Sequence, residues 1–494
     1  MRDDDLLLPG GPERRGAAIG RELELESAAF RRLVGQALER IGSHLDSLPE
    51  QPSWNTETGA ELARSLQEKA APEEGTASAD LLDLLFDRVV PVSFNTAGPG
   101  YFAYIPGGGL PQSGVADLIA DCVNRYVGVW AAAPGLAQIE ANVVSWFCEI
   151  VGYPTTARGI LTSGGSLANF SAVVTARRDR LPEDFLKGTI YTSDQTHHSV
   201  RKAAILAGFP ESNVREIPSD ELFRIRLDAL EESIERDRAS GFDPFLVVGS
   251  AGTTNTGAVD DLSALAGLCE RGNLWFHVDA AYGGFFLLAE AGRKALRGID
   301  RADSIVLDPH KGLFLPYGTG SLLVRNGTAL KRAHALGAEY LPAMQSREEF
   351  VDFCELSPEL SRDWRGLRVW LPVKMHGLRA FRDALAEKLD LARWACAELR
   401  RIPRIEIVAE PQLSILAFRI SAPGADEEEN NRINHEFLER INARKRVYLT
   451  GTTVNGRFVV RICVISFRTH LDRMREAIEN IRDAAAESFA VGAA

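Results

Sequence analysis

A lysine follows a short apolar run in the segment SIVLDPHKGLFLPYGTG, where a predicted strand ends at Asp308 and Lys311 comes shortly after it. Most lysines are solvated surface residues. The five residues that follow Lys311, GLFLP, are apolar or glycine. A lysine amine in poorly solvated surroundings can form a Schiff base with a carbonyl. The segment therefore predicts covalent carbonyl chemistry at Lys311.

An aspartate, Asp279, ends another predicted strand in the upstream segment LWFHVDAAYGG. A carboxylate that faces a pyridine nitrogen keeps the nitrogen protonated and makes the ring an electron sink, as expected at a pyridoxal phosphate site. Taken alone, an aspartate at this position more often belongs to a turn or caps a helix. The two strand ends together favour the cofactor site.

A candidate phosphate site lies in GILTSGGSLANF, where a strand leads through a tight turn from Ser163 to Ser166 into a helix. Backbone amides at a helix start bind phosphate, and Ser166 can add a hydroxyl. A Gly-Gly-Ser turn by itself is most often an ordinary loop. The segment does not fit the glycine patterns of dinucleotide or nucleoside triphosphate sites, which argues against those ligands.

Two further strand ends carry polar residues. His197 and His198 follow a strand in YTSDQTHHSVRKAA, and Thr253 and Thr254 follow another in FLVVGSAGTTNTG. One imidazole could stack on a cofactor ring, and the threonine loop could reach the same ring. Adjacent histidines at a helix start point apart, and no carboxylate or cysteine spacing completes a ligand set, so we expect no metal site.

The elements that would position these residues lie between residues 111 and 377. Short β-rich runs alternate there with helical stretches, which predicts an α/β fold with a mostly parallel, helix-covered central sheet. Ligands bind beyond the carboxyl ends of the strands in such sheets. The predicted strands are GILTS, GTIYTS, FLVVGSA, LWFHVD, SIVLD and GSLLVR.

Two smaller regions flank this large domain. Residues 1–110 are predicted to form an N-terminal helical arm, because apolar residues recur at helical spacing from Phe30 to Leu45. This region is too small for a core of its own, so we expect it to dock on another unit and to form a homodimer. Residues 378–494 are predicted to form a small C-terminal α/β domain with strands in LSILAFRI, RVYLT and RFVVRICVIS.

The composition narrows the classes of function. The 494 residues carry a formal net charge of -12, which argues against nucleic acid and favours a small-molecule substrate. Six cysteines without a C-x-x-C pair suggest neither a zinc site nor a disulfide scaffold, and fit a reducing compartment. With no signal-peptide pattern and no run of 18 apolar residues, the sequence predicts a cytoplasmic protein without a membrane partner.

In this order, the segments SDQTHHS, AGTTNTG, HVDAAYGG and DPHK resemble the group II pyridoxal phosphate-dependent amino acid decarboxylases. This family includes the aromatic L-amino acid, glutamate and histidine decarboxylases. The resemblance covers nearly the whole chain from about residue 30. It implies a carboxy-lyase with a dimeric fold-type I architecture, similar to aspartate aminotransferase.

The resemblance also implies roles for individual residues. Lys311 becomes the Schiff-base lysine, Asp279 the partner of the ring nitrogen, and His197 the ring-stacking base. Tyr340, in AHALGAEYL, resembles the tyrosine of the family's mobile catalytic loop, which would protonate the product. Further cofactor contacts are implied for Gly165, Ser166, Thr254, Asp308 and His310. At Asp308 the chain departs from the dopa decarboxylase-like members, which have asparagine there.

The substrate side of the site is implied by FAYIPGGG, VNRYVGVW and RFVVRICVIS. The resemblance assigns the side-chain pocket to Tyr104, Ile105, Pro106 and Tyr126. We expect Arg461 to contact a substrate carboxylate, because a buried arginine needs an acidic partner. The apolar and aromatic lining favours an aromatic amino acid over a dicarboxylic one.

Three alternatives stay open at this point. The chain could decarboxylate a non-aromatic L-amino acid, or it could be an aldehyde synthase that uses oxygen after decarboxylation. A tyrosine at position 340 favours simple decarboxylation. From another class, it could be a non-catalytic binding module of the same fold, which intact Lys311, Asp279 and His197 argue against.

Overall fold

The computed structural model describes residues 23–335 and 349–490, and the chain divides into two compact units between Phe94 and Asn95. The first unit contains α1 (Ser27–Ser47), α2 (Gly59–Ser65), α3 (Ser78–Asp83) and a π-helical turn over Leu84–Val89. The amphipathic helix predicted from Phe30 to Leu45 is confirmed as α1. No residue of α1 is buried in the described chain.

The second unit is built on a seven-stranded sheet in the order β1-β7-β6-β5-β4-β2-β3. Strand β7 is antiparallel to β1 and β6, and the other neighbouring pairs are parallel. The mostly parallel sheet and its six predicted strands are therefore confirmed. The strands are β1 (Arg158–Thr162), β2 (Gly188–Ser193), β3 (Val214–Ile217), β4 (Asp243–Ser250), β5 (Trp275–Asp279), β6 (Ser304–Leu307) and β7 (Gly320–Val324).

Both faces of this sheet are covered. Every residue of β2, β5, β6 and β7 is buried, and successive side chains of a strand point to opposite faces. The helices of this region are α4 (Pro111–Val123), α5 (Pro134–Val151), α6 (Gly165–Arg180), α7 (His198–Leu206), α8 (Leu227–Ala239), α9 (Leu262–Gly272), α10 (Glu290–Ala295), α11 (Pro309–Gly312), α12 (Gly327–His334) and α13 (Arg365–Leu399). Short 3-10 turns cover Trp130–Ala132, Glu211–Asn213, Gly284–Leu288, Ile299–Arg301 and Phe353–Glu355.

A second, antiparallel sheet of four strands lies near the carboxyl end of the chain, in the order β10-β11-β9-β8. Its strands are β8 (Ile405–Ala409), β9 (Ile415–Ile420), β10 (Thr450–Val454) and β11 (Arg457–Cys463), accompanied by α14 (Glu427–Ala443) and α15 (Leu471–Ala490). The prediction of a strand in RVYLT is wrong for all but its last residue. Tyr448 instead exchanges backbone hydrogen bonds with Gly100 and Phe102, outside this sheet.

Helix α13 contains a break. Gly377 has φ 69° and ψ 156°, so two helical runs join at this residue, and its left-handed φ suits a glycine. Across the two described ranges, we find no helix with both the length and the apolar character needed to cross a membrane.

A buried ion pair links three elements of the second unit. Glu140 of α5 and Arg362 lie 2.6 Å apart (Oε1 to Nη2), with side chains 0% and 1% exposed. The other carboxylate oxygen of Glu140 accepts the backbone N–H of Gly366 in α13, and Arg362 donates to the carbonyl of Leu161 in β1. The pair therefore ties α5 and the start of α13 to the strand that leads into the candidate phosphate turn.

We expect Arg362→Leu to lower the free energy of unfolding by about 3–5 kcal/mol, because it leaves the Glu140 carboxylate buried without its cation. Urea denaturation followed by tryptophan fluorescence measures this loss. Lys294→Ala is the matched control, since Lys294 and its partner Glu290 are 70% and 73% exposed. The control should lose less than about 1 kcal/mol. Equal losses in the two variants would contradict the importance of the buried pair.

Candidate active site

The ends of five strands bring the candidate residues together. Strands β1, β2, β4, β5 and β6 run in one direction, so their carboxyl ends lie at one edge of the sheet. The segments that follow them line a cavity of about 330 Å³. Nine residues singled out from the sequence line it: Ile105, Gly165, Ser166, His197, Thr254, Asp279, Asp308, His310 and Lys311.

Lys311 lies on α11, directly after β6, and its Nζ is 2.9 Å from Oδ2 of Asp308. Burial by itself lowers the pKa of Lys311, but the charge and hydrogen bond of Asp308 outweigh burial, so the pKa is raised overall. An ammonium has no lone pair with which to attack a carbonyl. Asp308 therefore influences when the Lys311 amine is nucleophilic.

Asp308 is buried and lies beside the start of α6. A Cβ atom added to Gly165 would come within 3.0 Å of Oδ2 of Asp308. The other oxygen, Oδ1, is buried and has no hydrogen-bond partner among the described residues. The side chain that departs from the family pattern thus combines an ion pair to Lys311 with an unsatisfied acceptor in the cavity wall.

Asp279, the last residue of β5, has a donor on each carboxylate oxygen. The side-chain amide of Asn169 donates to Oδ2 at 3.2 Å, and the backbone N–H of Ala281 donates to Oδ1 at 3.1 Å. These two donors lie on different elements, α6 and the turn after β5. They fix the plane of the carboxylate where it faces the cavity.

His197 is the residue that precedes α7 and caps it. Its Nδ1 accepts the backbone N–H of Ser199 at 3.3 Å and lies 2.8 Å from the Ser199 hydroxyl. A backbone N–H can only donate, so the neutral imidazole carries its proton on Nε2. Burial lowers the pKa of His197, which favours this neutral form.

The loop after β4, which contains Thr254, is held by a buried carboxylate. Asp260 accepts the backbone N–H groups of Ser250 and Ile225, both at 2.7 Å. Burial raises the pKa of Asp260 to about 6. The Thr253 and Thr256 hydroxyls lie 2.9 Å apart within the same loop. The Asp260 hydrogen bonds and the contact between the two threonine hydroxyls therefore order the loop that contains Thr254.

The start of α6 offers donors for a phosphate. No side chain caps this helix at Gly164, and the first amides of a helix have no partners within it. Ser166 adds a hydroxyl. His310 donates its Nδ1 proton to the Thr319 carbonyl at 2.6 Å, so its Nε2 can donate to a phosphate only when the ring is protonated; burial lowers the pKa of His310, and the charge of a phosphate would favour the protonated form. Together with the Lys311 amine and the Asp279 carboxylate, this donor set fits pyridoxal phosphate. The Asp308 carboxylate is the exception, since it can only accept.

Two residues predicted to contact the substrate line a different cavity. Tyr104 and Arg461 border a space of about 470 Å³ that shares only Thr254 with the main cavity. Arg461 is buried and donates to the Tyr104 carbonyl at 3.0 Å and to the Thr450 hydroxyl at 3.2 Å. Its described hydrogen bonds therefore go to neutral oxygens.

Pro106 and Tyr126 are not part of the described lining of the main cavity. Pro106 is buried beside Ile105 in sequence but is not part of the lining. The Tyr126 hydroxyl donates to the carbonyl of Leu360 at 3.2 Å. Tyr340 lies outside the described residues.

Several polar residues at the site were missed from the sequence. Asn169 follows Ser166 by one helical turn on α6, a spacing that places both on one side of the helix. His277 lies two residues before Asp279 on β5 and therefore points to the same face of the sheet. Ser199 follows His197 by two residues. The spacings to Ser166 and Asp279 were signals that could have identified Asn169 and His277.

Within residues 23–335 and 349–490, no group of three or more His, Cys, Asp or Glu side chains could hold a metal ion.

Comparison with known proteins agrees with this site. Residues 61–421 match the family model described as the pyridoxal-dependent decarboxylase conserved domain. The chain is 36% identical over 471 residues to the aromatic-L-amino-acid decarboxylase of Bacillus atrophaeus, which covers 95% of this chain and 98% of that protein.

Solved structures show the same architecture. Oryza sativa TDC with PLP and tryptamine superposes with a TM-score of 0.89 at 28% identity, over 94% of this chain and 99% of that one. Catharanthus roseus tryptophan decarboxylase in complex with L-tryptophan gives a TM-score of 0.87 at 25% identity, with the same coverage. The predicted pyridoxal phosphate-enzyme fold is confirmed. The chain belongs to the pyridoxal-dependent decarboxylase family, and it is an amino acid decarboxylase that uses pyridoxal phosphate.

Proposed function

We propose that this enzyme converts an aromatic L-amino acid to the corresponding amine and carbon dioxide. The observation that carries the proposal is the cavity in which Lys311, Asp279 and His197 converge from three strand ends. Lys311 is the only lysine or arginine in the described lining of that cavity. A substrate with a second carboxylate would be left without a dedicated cation, which disfavours dicarboxylic amino acids. The relatives named for aromatic substrates support the same choice.

Pyridoxal phosphate, when bound, supplies the electron sink for the bond to the departing carboxyl group. Lys311 supplies the amine that binds the cofactor aldehyde, and Asp279 holds a proton at the ring nitrogen. Gly165, Ser166 and His310 are placed to bind the phosphate, and His197 to stack on the ring. Asp308 neutralises the lysine charge beside the phosphate turn. Thr254, in the loop after β4, is proposed to contact the cofactor near its ring.

Proton delivery and substrate orientation complete the proposal. We assign protonation of the product carbon to Tyr340 on the family resemblance alone, and the His197 Nε2–H is oriented to pass a proton within the cavity. Arg461 is proposed to bind a substrate carboxylate from the adjoining cavity. Tyr104, Ile105, Pro106 and Tyr126 are proposed to shape the side-chain pocket, and only Ile105 of these lines the main cavity.

We further propose that the enzyme is a cytoplasmic homodimer with an N-terminal arm over residues 1–110, a large domain over 111–377 and a small domain over 378–494. The break of α13 at Gly377 supports the last boundary, and six free cysteines support a reducing compartment. Exposed apolar residues on α4 support an interface: Val115, Leu118 and Ile119 are 49%, 41% and 42% exposed.

Light scattering tests the dimer. We expect the purified protein to have twice the mass of one chain, and Ile119→Glu to shift it toward the monomer by placing a charge in the interface. Glu61→Lys, an exposed change on α2 of the first unit, is the control for a general effect of charge. A wild-type protein with the mass of a single chain would refute the dimer.

The substrate prediction is tested with a panel of L-amino acids and saturating pyridoxal phosphate, following both carbon dioxide and amine. We expect kcat/KM for the best aromatic substrate to exceed that for glutamate by about 100-fold or more, because the second carboxylate of glutamate finds no cation of its own in the described lining. Lys311→Ala should lose both turnover and the Schiff-base absorbance, since it has no amine. Lys294→Ala should retain both. Preference for glutamate would reject the aromatic assignment.

Tyr340→Phe tests the proton donor. Loss of carbon dioxide does not need the phenol, but protonation of the product carbon does, so amine yield should fall while carbon dioxide release continues. The unprotonated carbon can then react with dissolved oxygen. Overall, amino acid, oxygen and water give aldehyde, ammonia, carbon dioxide and hydrogen peroxide. Amine, aldehyde and oxygen uptake are measured with and without air; unchanged amine yield without oxygen uptake would exclude this role.

A further inference from the structure

Asn169 is the centre of a buried hydrogen-bond chain behind the active site. Its side-chain nitrogen donates to the Ser199 hydroxyl at 2.9 Å and to Asp279 at 3.2 Å, while its oxygen lies 2.9 Å from Nε2 of His277. Beyond His277, Nδ1 lies 2.8 Å from the Ser304 hydroxyl, which also accepts the Trp275 indole N–H at 2.8 Å. Asn169, His277 and Ser304 are at most 1% exposed.

The direction of every hydrogen bond in this chain follows from its two ends. The Trp275 indole can only donate, so the Ser304 oxygen accepts and its own proton is free to go to Nδ1 of His277. Burial lowers the pKa of His277 to about 4, so the ring is neutral near pH 7 and carries one proton. The second lone pair of the Ser304 oxygen could equally accept from Nδ1, so this end alone allows that proton on either ring nitrogen.

The Asp279 end places the proton on Nε2, from which it is donated to the Asn169 oxygen. The Asp279 carboxylate can only accept, so the Asn169 group that faces it is the NH₂ group. The second hydrogen of that group goes to Ser199, whose own proton is then donated to Nδ1 of His197. All three hydrogen-bonding positions of the Asn169 amide facing these partners are occupied, so the amide cannot rotate without losing each of them.

We propose that Asn169 is a positioning residue whose single amide fixes the Asp279 carboxylate and, through the Ser199 hydroxyl, the orientation of His197 in the tautomer that the Ser199 backbone N–H sets. The inference rests on the roles proposed above for Asp279 and His197. These two groups lie on different elements, β5 and the residue before α7, and α6 joins them through one side chain. A displacement of Asn169 therefore moves the ring-nitrogen partner and the stacking base together.

Kinetics of the cofactor-loaded enzyme test the coupling. We expect Asn169→Ala to lower kcat about tenfold or more with KM changed less than about threefold, because the lost hydrogen bonds orient reacting groups instead of binding substrate. Ser199→Ala breaks only the branch to His197 and should lower kcat less. The double variant should equal Asn169→Ala within about twofold, because one link is already absent. If the double variant lost kcat by the product of the two single losses, the proposal would be overturned.

Asn434→Ala is the matched control, because Asn434 is also a fully buried asparagine with three hydrogen bonds, to Ile420 and Asn430 of the small antiparallel sheet region. It should lower the thermal unfolding midpoint about as much as Asn169→Ala while leaving kcat within about twofold of wild type. An equal loss of kcat in both variants would mean that Asn169 acts only on stability, and the proposal would fail.

A second measurement needs no activity. In ¹⁵N-histidine-labelled wild-type protein, with or without pyridoxal phosphate, His197 and His277 should both show a protonated Nε2 and an unprotonated Nδ1 near pH 7. The His197→Gln and His277→Gln variants assign the two signals. A His277 proton on Nδ1 would reverse the Asn169 amide and remove its bond to Asp279. This result stands whatever the substrate, so it separates failure of the inference from failure of the proposed function.

Discussion

Balancing charge in a cavity that is partly closed to water constrains the whole site. Two buried carboxylates, Asp279 and Asp308, face a single lysine, and each must have a partner because an unpaired buried charge is very unfavourable. Asp308 pairs with Lys311, whereas Asp279 receives only neutral N–H donors. Among the described residues Asp279 has no cationic hydrogen-bond partner, and the protonated ring of pyridoxal phosphate would supply one. The different hydrogen-bond and charge partners of Asp308 and Asp279 thus account for their different proposed roles, at the lysine and at the ring nitrogen.

The parallel sheet turns this electrostatic requirement into a fixed geometry. Asp279 pairs in register with Ser250 of β4 on one side and with Val306 of β6 on the other. These neighbouring strands also carry the loop that holds Thr254 and the short helix that holds Lys311. Because the backbone ladder sets the spacing of the three strand ends, the side chains need only short segments to converge. The buried pair of Glu140 and Arg362 anchors β1, the strand that carries the phosphate turn, from the outside.

Sequence reasoning succeeded where the spacing of apolar residues and the polar residues that end each apolar run decide the local structure. Six strands of the large sheet and the residues at their ends followed from apolar runs that stop at polar residues. It failed for RVYLT, because the apolar pattern cannot say that Tyr448 pairs with the segment from Gly100 to Phe102 instead of a sheet strand. It also could not place Arg461 and Tyr104 in a separate cavity, since the packing of the four-stranded antiparallel sheet decides this. Asn169 and His277 escaped notice because buried polar residues look unremarkable until their partners are known.

The fixed polarity of the hydrogen-bond chain behind Asp279 has a consequence for proton transport. A chain of hydroxyls or waters can conduct a proton only if every bond can reverse its direction afterwards. Here the Asn169 amide interrupts the chain, because its oxygen only accepts and its NH₂ group only donates, so a reversal would require the amide to turn over and face Asp279 with its oxygen. The chain therefore has one proton arrangement and acts as an insulator. Protons that reach Asp279 or His197 therefore do not travel along this chain, and the open side of both groups is the cavity that they line.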